Sequence, residues 1–228
     1  MTRYRKAVPA PRASRSERQR NTHIFELDPH GHYPEPPWTS VRLFEAESFG
    51  AKGALVYDCC CGWGRIPHAA AAAGYTAVGS DIIDRTHDPV YGHNGFRFFL
   101  HDFLKDPPTC SPWSAVFNPP FTGDFIQDFV ERALRIVRYK VAALVPLRRL
   151  PAAHWLEGKP LETIWLLTPR PSLPPASYIR AGNNPGGGGQ DFAWLVFNVQ
   201  ATIDAPRTKW LHRDEAAPSA ANDRRGRE

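Results

Sequence analysis

Residues 54–65 read ALVYDCCCGWGR. A short apolar run meets an acid, Asp58. Two glycines, Gly62 and Gly64, then lead into an alanine-rich stretch, GRIPHAAAAAG (64–74). An apolar run of this length between turn residues reads as a buried strand. The stretch after it reads as a helix, with Pro67 tolerable in the first turn and Gly74 as the stop. Glycines at such a turn let backbone N–H groups approach a ligand at the mouth of the helix.

The same alternation continues along the chain. YTAVGSDI (75–82), FRFFLHD (96–102) and SAVFN (114–118) are three further strands, followed by an amphipathic helix from Phe125 to Val137. Its apolar residues, Phe125, Ile126, Phe129, Val130, Ala133, Leu134 and Val137, fall on one face of a 3.6-residue period. KVAALVP (140–146) is a fifth strand, a short helix is expected around Ala152–Glu157, and LETIWLL (161–167) and DFAWLVFNV (191–199) complete the set. Near-continuous apolar strands alternating with helices imply a mostly parallel sheet covered on both faces. The expected fold is a Rossmann-like, doubly wound α/β domain of seven strands with helices on both faces.

Composition bounds the reading. The chain has 228 residues, 42% hydrophobic, with seven Trp and thirteen Phe, which is a globular composition. No stretch approaches the length of a membrane helix, so no membrane association is expected. Residues 1–20 carry seven cations against one anion, Glu17, while the whole chain is +5, so residues 21–228 sum to −1. The start lacks an apolar core and is not expected to act as a secretory signal; its Arg and Ser content also fits a transit peptide. Residues 1–22 read as a disordered basic arm, suited either to a polyanion such as nucleic acid or to solubility. Residues 23–204 form the expected catalytic domain, and 205–228, of mixed charge with Ala, Pro and Ser, read as a disordered tail. Of the four cysteines, three are adjacent, Cys59 to Cys61, and would point to alternating sides of a strand, so no metal site is expected. The set forms no disulfide framework, and the expected compartment is reducing and cytoplasmic.

In a doubly wound sheet, ligands bind outside the carboxyl ends of the strands. The first strand ends at Asp58, the second at Asp81 and the third at Asp102. Each acid alone fits a structural cap. Three in order favour a nucleoside, because a strand-end acid accepts ribose hydroxyls. The fourth strand ends in VFNPPF (116–121), a polar amide, two prolines and an aromatic. Proline offers no N–H and stiffens the turn, leaving Asn118 and the Pro119 carbonyl as fixed acceptors. Phe121 reads either as a face at the mouth of the site or as a core residue beside a plain Pro-Pro turn.

The pattern Asp58-x-Cys60-x-Gly62-x-Gly64 resembles motif I of class I S-adenosylmethionine (SAM) methyltransferases, with Cys60 in place of a glycine. The resemblance implies that Asp58, Cys60, Gly62 and Gly64 face the methionine half of SAM. It places Asp81 on the ribose and Asp102 near adenine, with Ile82 and Phe103 counted in the same cofactor site. Asn118-Pro119-Pro120-Phe121 resembles motif IV of amino-methyltransferases, above all the DNA N6-adenine enzymes, and implies that these four residues are catalytic. HYPEPPWTSVRLFE (32–45) resembles the motif X segment, which implies a cofactor contact for Tyr33; Glu35 stands where the family has Thr or Ser. The order X, I, IV is the gamma arrangement, and the late segment 168–197 resembles orphan phage-type members. The resemblance covers about 28–200. It implies SAM as cofactor and nucleic acid as partner, DNA preferred and RNA possible, with adenine N6 as target. Guanine-N2 or adenine-N6 methylation of rRNA, methylation of protein glutamine, and a nucleic-acid-binding protein that keeps the fold without turnover are the alternatives. The glycine run 186–189 reads either as a plain connection or as a lid, with Arg170 and Arg180 on phosphate.

Overall fold

The computed structural model describes residues 28, 31–88, 90, 95–106, 110–186 and 188–214. The basic arm lies outside the described residues. Helix α1 (Pro37–Ala46) opens the fold, with Pro37 in its first turn, where a missing N–H costs nothing. The first unit follows as expected: strand β1 (Leu55–Asp58), a left-handed Gly64, and helix α2 (Arg65–Ala72). Strands β2 (Thr76–Asp81), β3 (Phe96–Leu100) and β4 (Ser114–Phe117) precede helix α3 (Phe125–Ile136). Strand β5 (Lys140–Pro146), strand β6 (Leu161–Thr168), the short helix α4 (Ala176–Arg180) and strand β7 (Phe192–Asn198) follow.

The sheet runs β3-β2-β1-β4-β5-β7-β6, with an eighth strand, β8 (Arg207–His212), beside β6. The first five strands are mutually parallel, and β7 is inserted antiparallel to both β5 and β6. The eighth strand corrects the seven-strand expectation and falls within residues 205–228, which are expected from the sequence to be a disordered tail. Its sequence, RTKWLH, buries only Leu211 while Trp210 stays 61% exposed, so it lacks the apolar signal of an inner strand. It is held by parallel pairing with β6 and by the Arg42 Nε–H donating to the His212 carbonyl at 3.0 Å. Residues 215–228 lie outside the described residues. The short helix expected at 152–157 is instead two 3₁₀ turns, Leu147–Ala152 and His154–Leu156.

Side chains alternate across the buried strands into two cores. Under α1 and α2 lie Val56, Val116, Leu144 and Trp194; under α3 lie Tyr57, Phe117, Val141 and Phe197. Lys140, at the entry of β5, is buried between Glu47 at 2.7 Å and Glu162 at 3.0 Å, tying the end of α1 to the base of the sheet. After β3 the chain crosses back to place β4 on the other side of β1. The reversal of strand order therefore falls between β1 and β4, and the crevice at their carboxyl ends is where such a sheet binds ligands. Asp58 and Asn118 flank it.

Candidate active site

A cavity of about 520 Å³ occupies that crevice, walled by the ends of β1 to β4 and by the segment that enters α1. Its size is within the range of small-molecule sites, about 300–1,000 Å³. It brings together most of the residues expected from the sequence.

The floor is the turn after β1. Gly62 has φ +51°, and a Cβ there would lie 2.6 Å from His32 Nε2, so both backbone and space demand glycine. Its N–H donates to Asp81 Oδ2 at 2.9 Å, which binds the turn to the end of β2. Trp63 is buried beneath the turn, its indole N–H donating to Asp88 Oδ2 at 2.8 Å, with the Arg65 and Arg180 guanidinium groups over its ring. Cys60 lines the wall, and its thiol donates to the Asn118 carbonyl at 3.3 Å. That contact joins the first strand end to the fourth.

Five carboxylates line the cavity, Asp28, Glu35, Asp58, Asp81 and Asp102. Asp58 is 2% exposed, and its Oδ1 accepts the Cys60 N–H at 3.1 Å. Burial raises its pKa well above the usual carboxylate value, and Glu35 and Asp81 nearby add to the effect. Asp81 accepts from Gly62, from the Ile83 N–H at 3.0 Å and from Arg85 Nη1 at 2.7 Å. Glu35 is 5% exposed and its pKa is also raised, first by burial. Asp102, the third strand-end acid, is more open. Its pKa is lowered, chiefly by the hydrogen bond from Lys105, and it accepts the N–H groups of Leu104 and Lys105. Ile82 is 61% exposed on the rim, whereas Phe103 is buried against Tyr57 and Phe129 and reaches the cavity at its base.

Asn118 stands where β4 ends. Its Nδ2 donates to Glu35 Oε2 and to the Tyr33 carbonyl, each at 2.9 Å. Both neighbours are acceptors, which fixes the amide's orientation. Its Oδ1 is left buried with no hydrogen-bond partner. Tyr33 thus contributes its carbonyl here, while its hydroxyl accepts the Asp28 N–H at 2.9 Å. Pro120 lines the cavity and Pro119 is buried behind it.

Phe121 departs from the role that the resemblance implies. It is half-buried, its ring 5.5 Å from that of Phe192, and it does not line the cavity. The prolines turn its side chain into the core between the two faces. Phe125, expected on the buried face of α3, is instead 44% exposed and lines the cavity mouth. As the first residue of α3 it lies before the helix settles onto the sheet. Arg170 and Arg180 are bound within the chain, to Asp191 at 2.6 Å and to Asp88 at 2.7 Å. Sequence reasoning missed His32 and Arg85 altogether. His32 is neutral, its pKa lowered to about 4, first by burial and then by Arg85; its Nε2 is buried with no hydrogen-bond partner.

The wall suits a ligand rich in donors and positive charge. A glycine turn admits it closely, Asp58 and Asp81 can accept amine and hydroxyl groups, and an unpaired buried acceptor waits at Asn118. S-adenosylmethionine, an amine, a ribose and a sulfonium in one molecule, fits that donor set.

No family model and no curated protein matches the sequence. Solved structures do match in fold. A candidate class I S-adenosylmethionine-dependent methyltransferase from Listeria monocytogenes superposes with a TM-score of 0.58 at 12% identity, over 86% of this chain and 69% of that one. A candidate RNA methyltransferase from Pyrococcus horikoshii gives 0.55 at 14% identity, over 73% and 85%. The methyltransferase subunit of a type I restriction-modification system from Streptococcus thermophilus gives 0.51 at 13% identity, over 77% of this chain and 47% of that one. The chain has the fold of the class I methyltransferases. Among the described residues no helix is long and apolar enough to cross a membrane.

Proposed function

We propose that this chain is a SAM-dependent methyltransferase that methylates an exocyclic amine of a nucleic-acid base, adenine N6 in DNA above all. The observation that carries the reading is Asn118: it lines the cavity, its amide nitrogen is spent on Glu35 and Tyr33, and its Oδ1 is buried and unpaired. An aromatic amine is a poor nucleophile because its lone pair is delocalised into the ring. Asn118 Oδ1 and the Pro119 carbonyl accept its two N–H bonds, drawing the nitrogen towards tetrahedral geometry and freeing the lone pair. The rigid Pro-Pro turn holds both acceptors in place before the substrate arrives.

The cofactor, when bound, supplies an electrophilic methyl group on a sulfonium. Asp58 receives its amine, Gly62 admits it closely, Asp81 takes the ribose hydroxyls, and Ile82, Asp102 and Phe103 border the base. Phe125 at the mouth offers a face on which an extruded target base can stack. Arg149, exposed just after β5, donates to the Phe121 carbonyl and so puts one cation beside the motif, available to a phosphate.

The type I modification subunit among the fold relatives supports DNA, and the RNA methyltransferase among them keeps RNA as the second substrate. The test is transfer of labelled methyl from SAM to DNA, rRNA and protein side by side. Label on protein alone would overturn the reading.

A further inference from the structure

Glu35 is a buried carboxylate at the centre of the site, and the sequence comparison gives it no role. It lies on the cavity wall, and its Oε2 is 2.9 Å from Asn118 Nδ2. Among the described residues no cation pairs with its carboxylate or with that of Asp58. Arg65 reaches Glu35 only at the main-chain carbonyl, at 2.6 Å. Two buried carboxylates without an ion-pair partner are costly, Arg65 acting on Glu35 only through space, and such an arrangement is completed by a positive ligand. The orphaned Asn118 Oδ1 and His32 Nε2 point independently to a ligand in the same space.

We propose that Glu35 distinguishes the sulfonium cofactor from its neutral thioether product, a role that rests on the methyltransferase reading above. A target amine bound to Asn118 Oδ1 sits one hydrogen bond from the amide. The carbon it attacks lies one near-attack contact beyond, each step about 3 Å. With the C–S bond added, the sulfonium lies within about 8 Å of Asn118 Oδ1, and Glu35 is the carboxylate hydrogen-bonded to that residue. In the reaction the N–C bond forms and the C–S bond breaks with its electron pair left on sulfur. The amine releases one proton to solvent. The cofactor loses its sulfonium charge and S-adenosylhomocysteine remains. A fixed negative charge near that sulfur attracts the cofactor and gives nothing to the product, so it favours exchange of one for the other. The amino group of the methionine half is positive in both molecules, so Asp58 does not discriminate between them.

Calorimetric titration with SAM and with S-adenosylhomocysteine tests this on the full chain. Glu35→Gln keeps an acceptor for Asn118 Nδ2 and removes the charge. It should weaken SAM binding on the order of tenfold while leaving S-adenosylhomocysteine binding unchanged, and that retained binding also shows that the variant is folded. Glu35→Asp should keep the preference, and Asp58→Asn should weaken both ligands alike. Equal loss of both ligands in Glu35→Gln, or loss of neither, overturns the role of Glu35 while leaving the methyltransferase reading intact. A wild-type chain that binds neither ligand overturns both.

Discussion

Arg85 Nη1 lies 2.7 Å from Asp81 Oδ1, and both side chains are almost fully buried. The acid at the end of β2 is therefore part of an ion pair as well as a wall of the cavity, and it also accepts the Gly62 N–H. Removing one partner of a buried pair leaves the other charge uncompensated.

Asp81→Ala should act twice. Loss of a charged hydrogen-bond acceptor should weaken SAM binding by about 1.5–3 kcal/mol, tenfold to a hundredfold in Kd. The stranded Arg85 should lower folding stability by about 3–5 kcal/mol. Calorimetry and denaturant unfolding check the two effects, and Asp81→Ala with Arg85→Met should recover stability but not SAM affinity. Unchanged affinity in a folded variant would remove Asp81 from the cofactor site.

Asn118→Asp should be worse than its isosteric size suggests. A carboxylate at 118 would face the Glu35 carboxylate and the Tyr33 carbonyl, where the amide now donates to both. On sequence alone an acid there is expected to be milder than alanine, since it still accepts N–H bonds. The neighbours reverse that expectation. Single-turnover methyl transfer should be recovered in part by Asn118→Asp combined with Glu35→Gln, which restores a donor between the acceptors. If the double variant is no faster than Asn118→Asp alone, the Glu35–Asn118 contact does not set the geometry of the site.

Phe121 and Phe125 should separate stability from substrate capture. Phe121→Ala removes a half-buried ring packed on Phe192 and should cost roughly half of the about 3–5 kcal/mol typical of a core Phe. Phe125→Ala, at the exposed mouth, should leave the unfolding midpoint nearly unchanged and raise KM for nucleic acid. Its effect should shrink on an already unpaired target base. The reverse pattern would return Phe121 to the site.

The pH dependence of folding should show the cost of Asp58. Its carboxyl binds its proton more tightly in the fold than in the unfolded chain. The folded state therefore keeps that proton as pH rises past the unfolded pKa near 4, and stability declines through the raised folded value. Asp58→Asn, measured without ligand, should be more stable than wild type at neutral pH, with the difference vanishing near pH 4. Equal stabilities at both ends would mean that the charge on Asp58 is already compensated.

The strand ends were legible in the sequence because buried parallel strands announce themselves as apolar runs, and the residue that stops each run is where the site lies. Asp58, Gly62, Asp81 and Asn118 meet around one cavity as that logic requires. What the sequence hid depends on partners far along the chain. Glu35 is a mismatch in a motif until Asn118, 83 residues away, is seen bound to it. Arg85 looks like a loop cation until it is buried on Asp81. Phe121 and Phe125 exchange expected places because a Pro-Pro turn, not a helical period, sets the direction of the first. Strand β8 escaped because pairing with β6, rather than apolar burial, holds it.

The most direct test of the central claim is single-turnover transfer of labelled methyl from saturating SAM to unmodified DNA, by wild type and by Asn118→Ala. Wild type should label adenine N6, and the variant should be slower by about 10²–10³ with SAM affinity close to wild type. Equal rates in the two proteins would mean that Asn-Pro-Pro-Phe is only a strand-ending turn, and would contradict the assignment of Asn118 Oδ1 as the acceptor for the target amine.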